Sequence, residues 1–182
     1  MARTLTTWTL EDYHRMIAAG VLAGRAVELL GGQIIDTAPE LPIHRATYRR
    51  GAKYLESLLG DRAIVFSAAP ITLPTNGEPQ PDLAIVWPPE SRYDHRHPYP
   101  EDIYWLIEVS NSTLTYDLGE KAGYYARDFI QEYWVVDIPH QTLWVHRQPD
   151  YAGYKDVQAI KSGTVSPLSF PAIAVESGRF WG

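Results

Sequence analysis

Apolar positions follow two rhythms along this chain, and the change between them divides it. Thr9-Leu-Glu-Asp12 has the form of a capping box with aspartate in place of the usual glutamate, and Gly20 suits a helix stop, so a first helix is predicted over 10–19. Further on, Ala52, Leu55, Leu58 and Leu59 recur at helical spacing and Gly60 closes the run, which predicts a second helix over 42–59. Between these helices, the runs 26–30 and 33–36 flank Gly31-Gly32. Two glycines there signal a tight hairpin, because both central positions of such a turn need a positive φ.

Downstream the rhythm is that of strands. Residues 63–67, 71–73, 83–86 and 103–109 are β-branched or apolar runs bounded by Pro, Gly and Asn. Residues 88–102, rich in Pro, His, Arg and Tyr, have the composition of a surface loop. A helix is predicted over 114–128 and a strand over 132–136; Pro139-His140 marks a turn, and 143–147 returns as the hairpin partner. Short strands around Gly153, Gly163, Pro167 and Pro171 complete the chain. No repeat, low-complexity tract or linker interrupts the pattern. It predicts one mixed α/β domain over 1–182, a central mixed sheet flanked by helices, with an added N-terminal hairpin and C-terminal strands.

Composition narrows the chemistry. A chain of 182 residues suits one domain that needs no covalent staple. There is no cysteine, so a metal would sit on carboxylate, carbonyl or imidazole, which favours magnesium or manganese. No apolar run is long enough to span a bilayer and no basic-then-apolar leader starts at Met1, so a soluble cytoplasmic protein is expected. The formal charge of −6 runs against a polyanionic partner, although clustered acids contribute to it and a bound cation would reverse the local field. His44, Arg45, Arg49, Arg50 and Lys53 form the one basic cluster, whose ordinary reading is a solvated helix face.

Against that background two carboxylates stand out. Asp82 follows Pro81 and opens the strand at 83–86, and Glu108 closes the apolar run Ile103-Tyr-Trp-Leu-Ile-Glu108. If the two strands pair antiparallel, the start of one lies beside the end of the other. Both carboxylates then face one ion, and Val109 offers its carbonyl. Magnesium takes oxygen ligands and keeps several waters, so this set suffices for metal-assisted phosphodiester hydrolysis. Taken singly, Pro-Asp also starts many ordinary strands, and a strand-end Glu is often solvated. Glu108 resists that reading, because an apolar run of this kind is buried on both faces and its carboxylate must be at the rim, paired or metal-bound. Lys121 lies four residues after Asp117 on the predicted helix. The pair is either a surface contact worth about 0.3 kcal/mol, or a lysine aimed at the metal and stabilising charge on the phosphorane, with Asp117 holding it or capping the helix.

The order of these residues is specific. The stretch from Glu108-Val-Ser-Asn-Ser-Thr through Asp117 and Lys121 to Tyr125 and Glu132-Tyr-Trp-Val-Val-Asp137 resembles the signature of the Uma2 family, a bacterial group of restriction-endonuclease-like proteins. Glu28-Leu-Leu, His44 and Pro81-Asp82 also fall where that family has Glu-Leu, His and Pro-Asp. The resemblance implies a PD-(D/E)XK core with Asp82 and Glu108 as metal ligands. It implies that the lysine role, usually two residues after the Glu where this chain has Ser110, has moved to Lys121. Glu28 corresponds to the further acid of many such sites, and His44 contacts phosphate or assists proton transfer. One departure is Phe129, where the family often has a glycine at the turn out of the helix. Glu132 and Asp137 are expected to be structural, and the aromatics of these strands to be core.

The expectation is therefore a Mg2+- or Mn2+-dependent endonuclease acting on nucleic acid, with DNA the favoured substrate. One rival is a catalytically inactive module on the same fold that binds nucleic acid or protein; the acidic balance favours it, and scattered site residues would support it. Another is an enzyme for a small phosphorylated ligand, which a narrow closed pocket would favour. An exposed apolar patch at the Pro139 hairpin would point to a homodimer.

Overall fold

In a computed structural model, residues 5–37 and 40–181 are described; the expectation about a leader at Met1 lies outside them. Helix α1 (Leu10–Ala18) starts at the capping box read from the sequence: Thr9 accepts from the Asp12 N–H at 3.1 Å, and Asp12 accepts from the Thr9 N–H at 3.2 Å. Strands β1 (Val27–Leu30) and β2 (Gln33–Asp36) form the hairpin, with Gly31 at φ 57° and Gly32 at φ 76°, as its tight turn requires. Helix α2 spans Pro42–Leu59.

The main sheet has six strands in sequence order: β3 (Ile64–Ser67), β4 (Leu83–Val86), β5 (Ile103–Ser110), β6 (Glu132–Asp137), β7 (Thr142–Asp150) and β8 (Gly153–Ile160). All neighbours pair antiparallel except β5 and β6, whose parallel pairing needs a crossover. That crossover is helical: α3 (Leu114–Tyr116), a π-helical segment (Asp117–Lys121) and α4 (Ala122–Arg127). A small pair, β9 (Thr164–Val165) and β10 (Val175–Glu176), closes the C-terminal part.

The two faces of the sheet carry two cores. Along β5, Trp105, Ile107 and Val109 pack with Ala52, Leu55 and Leu59 of α2, while Leu106 packs with Ala122 and Tyr125 of α4. The period-two alternation of a strand therefore sends Glu108 to the α4 side. Its burial follows from the apolar run in which it sits.

Two expectations are corrected. Residues 71–73 form no strand: the N–H groups of Ile71 and Thr72 go to the Pro79 and Pro98 carbonyls, and only a Leu73–Gly77 bridge remains. The flanking prolines supply no ladder donors, which is why the run cannot join the sheet. The helix predicted over 114–128 is divided by its π-helical segment, for reasons that lie in the site. Among the described residues the Pro139 hairpin carries no large exposed apolar side chain.

Candidate active site

Register sets the frame. Leu83 pairs with Ile107 across β4 and β5, so the next step places Asp82 opposite Glu108. The antiparallel pairing on which the two-carboxylate reading depended is present. Asp82 accepts the Val109 N–H at 2.7 Å. This contact uses the Val109 N–H and leaves separate the carbonyl that was expected to face an ion. Glu108 is 4% exposed and accepts the Tyr125 hydroxyl at 2.8 Å; Lys121 Nζ stands 2.8 Å from the same Oε1.

The N-terminal hairpin brings in the third carboxylate side chain. The Glu78 N–H donates to the Leu29 carbonyl at 2.7 Å and the Gly32 N–H to the Asn76 carbonyl at 2.8 Å, which ties β1 to segment 76–80. Gly31 is pressed so closely on α4 that a Cβ there would lie 2.1 Å from the Tyr124 ring. Glu28, held by the Gln80 N–H at 3.2 Å, consequently reaches to 3.8 Å from Lys121 Nζ. His44, in the first turns of α2, places Nε2 at 3.2 Å from Asp82, with Nδ1 at 3.6 Å from Glu40. All five expected site residues therefore converge.

Asp117 behaves differently from the expected partner of Lys121. It is buried and accepts the Thr113 hydroxyl at 2.5 Å, and no ion pair joins it to Lys121. In the π-helical turn the Asp117 carbonyl accepts the buried Tyr133 hydroxyl at 3.0 Å, which ties the crossover to β6. Tyr125 was quoted in the family signature without a role. Its place four residues after Lys121 on a helix was the available signal, because residues so spaced share a face.

Charge is crowded here: Glu28, Asp82, Glu108 and Asp117 stand against Lys121 and His44. Burial pushes the Glu108 carboxyl up to about 8; the Lys121 ammonium opposes this, and the charges of Asp82 and Asp117 add to it. For Lys121, burial disfavours the ammonium, but the charges of Glu108 and Glu28 overcome it and raise its pKa beyond the ordinary lysine range. Burial likewise opposes a charged His44. The hydrogen bond and charge of Asp82, with the Val109 backbone and Glu40, outweigh that and push it up to about 9. Asp117 is raised by burial, partly offset by Thr113.

An oxygen-only donor set with excess buried negative charge fits a hard divalent cation. No group of three His, Asp or Glu side chains among the described residues is arranged to enclose one. Magnesium needs fewer: one or two protein carboxylates, with waters and substrate oxygens completing its shell.

Glu132 and Asp137, by contrast, have internal partners. Glu132 is fully buried and accepts from Trp134 Nε1 and Arg147 Nε, both at 2.9 Å, and from the Leu168 N–H at 2.7 Å. Asp137 pairs with His140 in the turn at 2.9 Å.

A mixed sheet with one parallel pair, a helical crossover and acids at adjoining strand ends defines the restriction-endonuclease-like class. The crystal structure of a putative nuclease from Anabaena variabilis shares this fold: TM-score 0.71 and 18% identity, over 95% of this chain and 97% of that one. The sequence model of the Uma2 family, described as putative restriction endonuclease, matches residues 10–176, and the chain belongs to that family. Comparison with curated proteins found no match. Among the described residues no helix is long and apolar enough to cross a membrane.

Proposed function

We propose that this protein is a divalent-ion-dependent endonuclease that hydrolyses phosphodiester bonds in DNA, with Asp82 and Glu108 holding Mg2+ or Mn2+. The observation that carries this reading is the placement of Lys121 Nζ at 2.8 Å from Glu108, on the strand position facing Asp82. When bound, the ion would polarise a phosphoryl oxygen and lower the pKa of a water. The protein's own groups do the rest. Lys121, positively charged and anchored by Glu108 and Glu28, offers an ammonium to the charge that builds on the phosphorus oxygens. Tyr125 fixes the Glu108 carboxylate through its hydroxyl, and Glu28 holds the second side of the lysine. His44 orients Asp82 and, as a charged donor, is suited to a substrate phosphate.

Convergence of these side chains favours the enzyme over an inactive module, for which they have no evident use. Calorimetric titration of magnesium and manganese, run beside a plasmid-nicking assay, tests the reading. Ion binding and nicking are expected in the wild type and are both expected to vanish in Asp82→Ala and Glu108→Ala, with folding retained. Unchanged ion affinity in both variants would sink the assignment, and a wild type that binds no ion would leave the inactive module.

A further inference from the structure

We propose that the outward face of α2 is a docking track for the sugar-phosphate backbone of duplex DNA, with Arg45, Arg49 and Lys53 as its phosphate contacts. The partner rests on the nuclease reading above; the surface rests on its own observations. Arg45, Arg49 and Lys53 are exposed and spaced four apart, so they line one side of the helix. At a rise of about 1.5 Å per residue they cover roughly 12 Å, the length over which one strand of a duplex presents three to four phosphates.

These cations line a groove of about 640 Å3 together with Leu41, Pro42, Ala46 and, at its head, Glu40. A second groove, of about 370 Å3, shares Arg50 and Lys53 with the first and runs on to Tyr54 and Arg179. Arg179 lies 5.0 Å over the Tyr54 ring, and Arg50 donates to the Phe180 carbonyl at 2.6 Å, which fixes the C-terminal turn beside the helix. The track is therefore continuous from the first turn of α2 to Arg179.

Two features separate it from an ordinary solvated face. Among the described residues, Arg49 and Lys53 make no ion pair, and Glu56 is the one acid within α2. So, in a chain at −6, Arg49 and Lys53 stand free of acidic partners, while Arg45 is paired with Glu40 at the start of the track. The track also begins at the catalytic cluster. Arg45 follows His44, and Glu40 pairs with Arg45 at 2.5 Å while standing 3.6 Å from the His44 ring. A rod-like polyanion lying along α2 is thereby led to Asp82. Arginine forks suit phosphate oxygens, and an even series of them suits a regular backbone better than a flexible acidic peptide.

The test is fluorescence anisotropy of a labelled DNA duplex in EDTA across a salt series, with nicking measured in parallel. The wild type is compared with Arg49→Ala/Lys53→Ala, whose exposed sites leave folding intact, and with Arg49→Lys/Lys53→Arg. The alanine pair is expected to weaken binding about tenfold or more at low salt and to flatten the slope of log affinity against log salt by about 2. The charge-conserving pair is expected to restore both. Nicking by the alanine pair is expected to fall at low protein concentration and recover near saturation. An unchanged affinity and slope, in a protein that still nicks DNA, overturns the track and leaves the nuclease reading standing. Track-dependent binding without ion-dependent nicking supports the track and removes the nuclease reading. Poly-glutamate binding as tightly per charge as the duplex overturns the duplex assignment, and a wild type that neither binds nor nicks overturns both.

Discussion

Glu108 owes its character to its neighbours rather than to its type. Placed on a strand buried on both faces, it loses water and gains Lys121 and the Tyr125 hydroxyl, each at 2.8 Å. A carboxyl whose pKa rises from 4.5 to about 8 on folding binds more protons in the native state across that interval. Stability in EDTA therefore falls as pH rises between those values. Lys121 limits the loss by opposing the shift. Replacing it in Lys121→Met leaves Glu108 to be neutral or unpaired, and the consequence depends on pH. From pH 5 to 7 Glu108 keeps its proton with or without the lysine, so the variant's loss is expected to be nearly flat; it grows above pH 8, where the wild-type carboxyl ionises against Lys121 and the variant's does not. Urea unfolding at pH 6 and pH 9 checks this, and equal losses at both would show that packing, rather than charge, is what Lys121 supplies.

At the scale of elements, the crossover between β5 and β6 has the least regular backbone in the core. Its π-helical turn buries both Asp117 and Lys121, and the Tyr133 hydroxyl of β6 donates to the Asp117 carbonyl. Just past the end of the helix Phe129 sits at φ 58°, in the left-handed region where a side chain is costly. The Ile130 N–H still reaches the Tyr125 carbonyl at 3.0 Å, so the helix stop keeps its hydrogen bonds and the strain stays in one residue. Phe129→Gly relieves about 1–2 kcal/mol of backbone cost. It also gives up the edge contact with Tyr151, about 0.5 kcal/mol at an exposed site, and leaves a more flexible unfolded chain. Its net change is expected within about 1 kcal/mol. Phe129→Val, β-branched in the same region, is expected to be less stable than Phe129→Gly by more than about 1 kcal/mol. Thermal unfolding of the two side by side decides it, and a valine variant as stable as the glycine one would mean the turn has been reshaped.

For the molecule as a whole, two tethers hold the additions to the sheet. Segment 76–80 fastens the N-terminal hairpin and so delivers Glu28. At the other end, Glu132 joins β6, β7 and residue 168 through Trp134, Arg147 and the Leu168 N–H. Glu132→Ala strips Arg147 of its carboxylate in a buried setting and frees the C-terminal segment. The expected cost is about 3–5 kcal/mol in urea unfolding, with the C-terminal segment becoming sensitive to proteolysis. A loss below about 1 kcal/mol would assign the pair no structural weight.

Local rules in the chain set most of the elements. The Thr9–Asp12 box, the Gly31-Gly32 turn, the bounds of α2 and the buried strand ending at Glu108 all follow from short-range patterns, since caps, turns and side-chain periodicity act within a few residues. The same patterns put Asp82 and Glu108 at strand ends, and the family resemblance added Glu28, His44 and Lys121. What the chain could not express locally came from long-range pairing. Residues 71–73 looked like a strand and were refused by the surrounding prolines and by carbonyls from distant loops. Asp117 turned to Thr113, and Tyr125 acquired a role, once the crossover packed α4 over β5. The charge states of Glu108, Lys121 and His44 depend on burial and on partners as far as 93 residues apart in sequence, as for Lys121 and Glu28. Desolvation and Coulomb forces act across space, and only the folded chain brings those groups within their range.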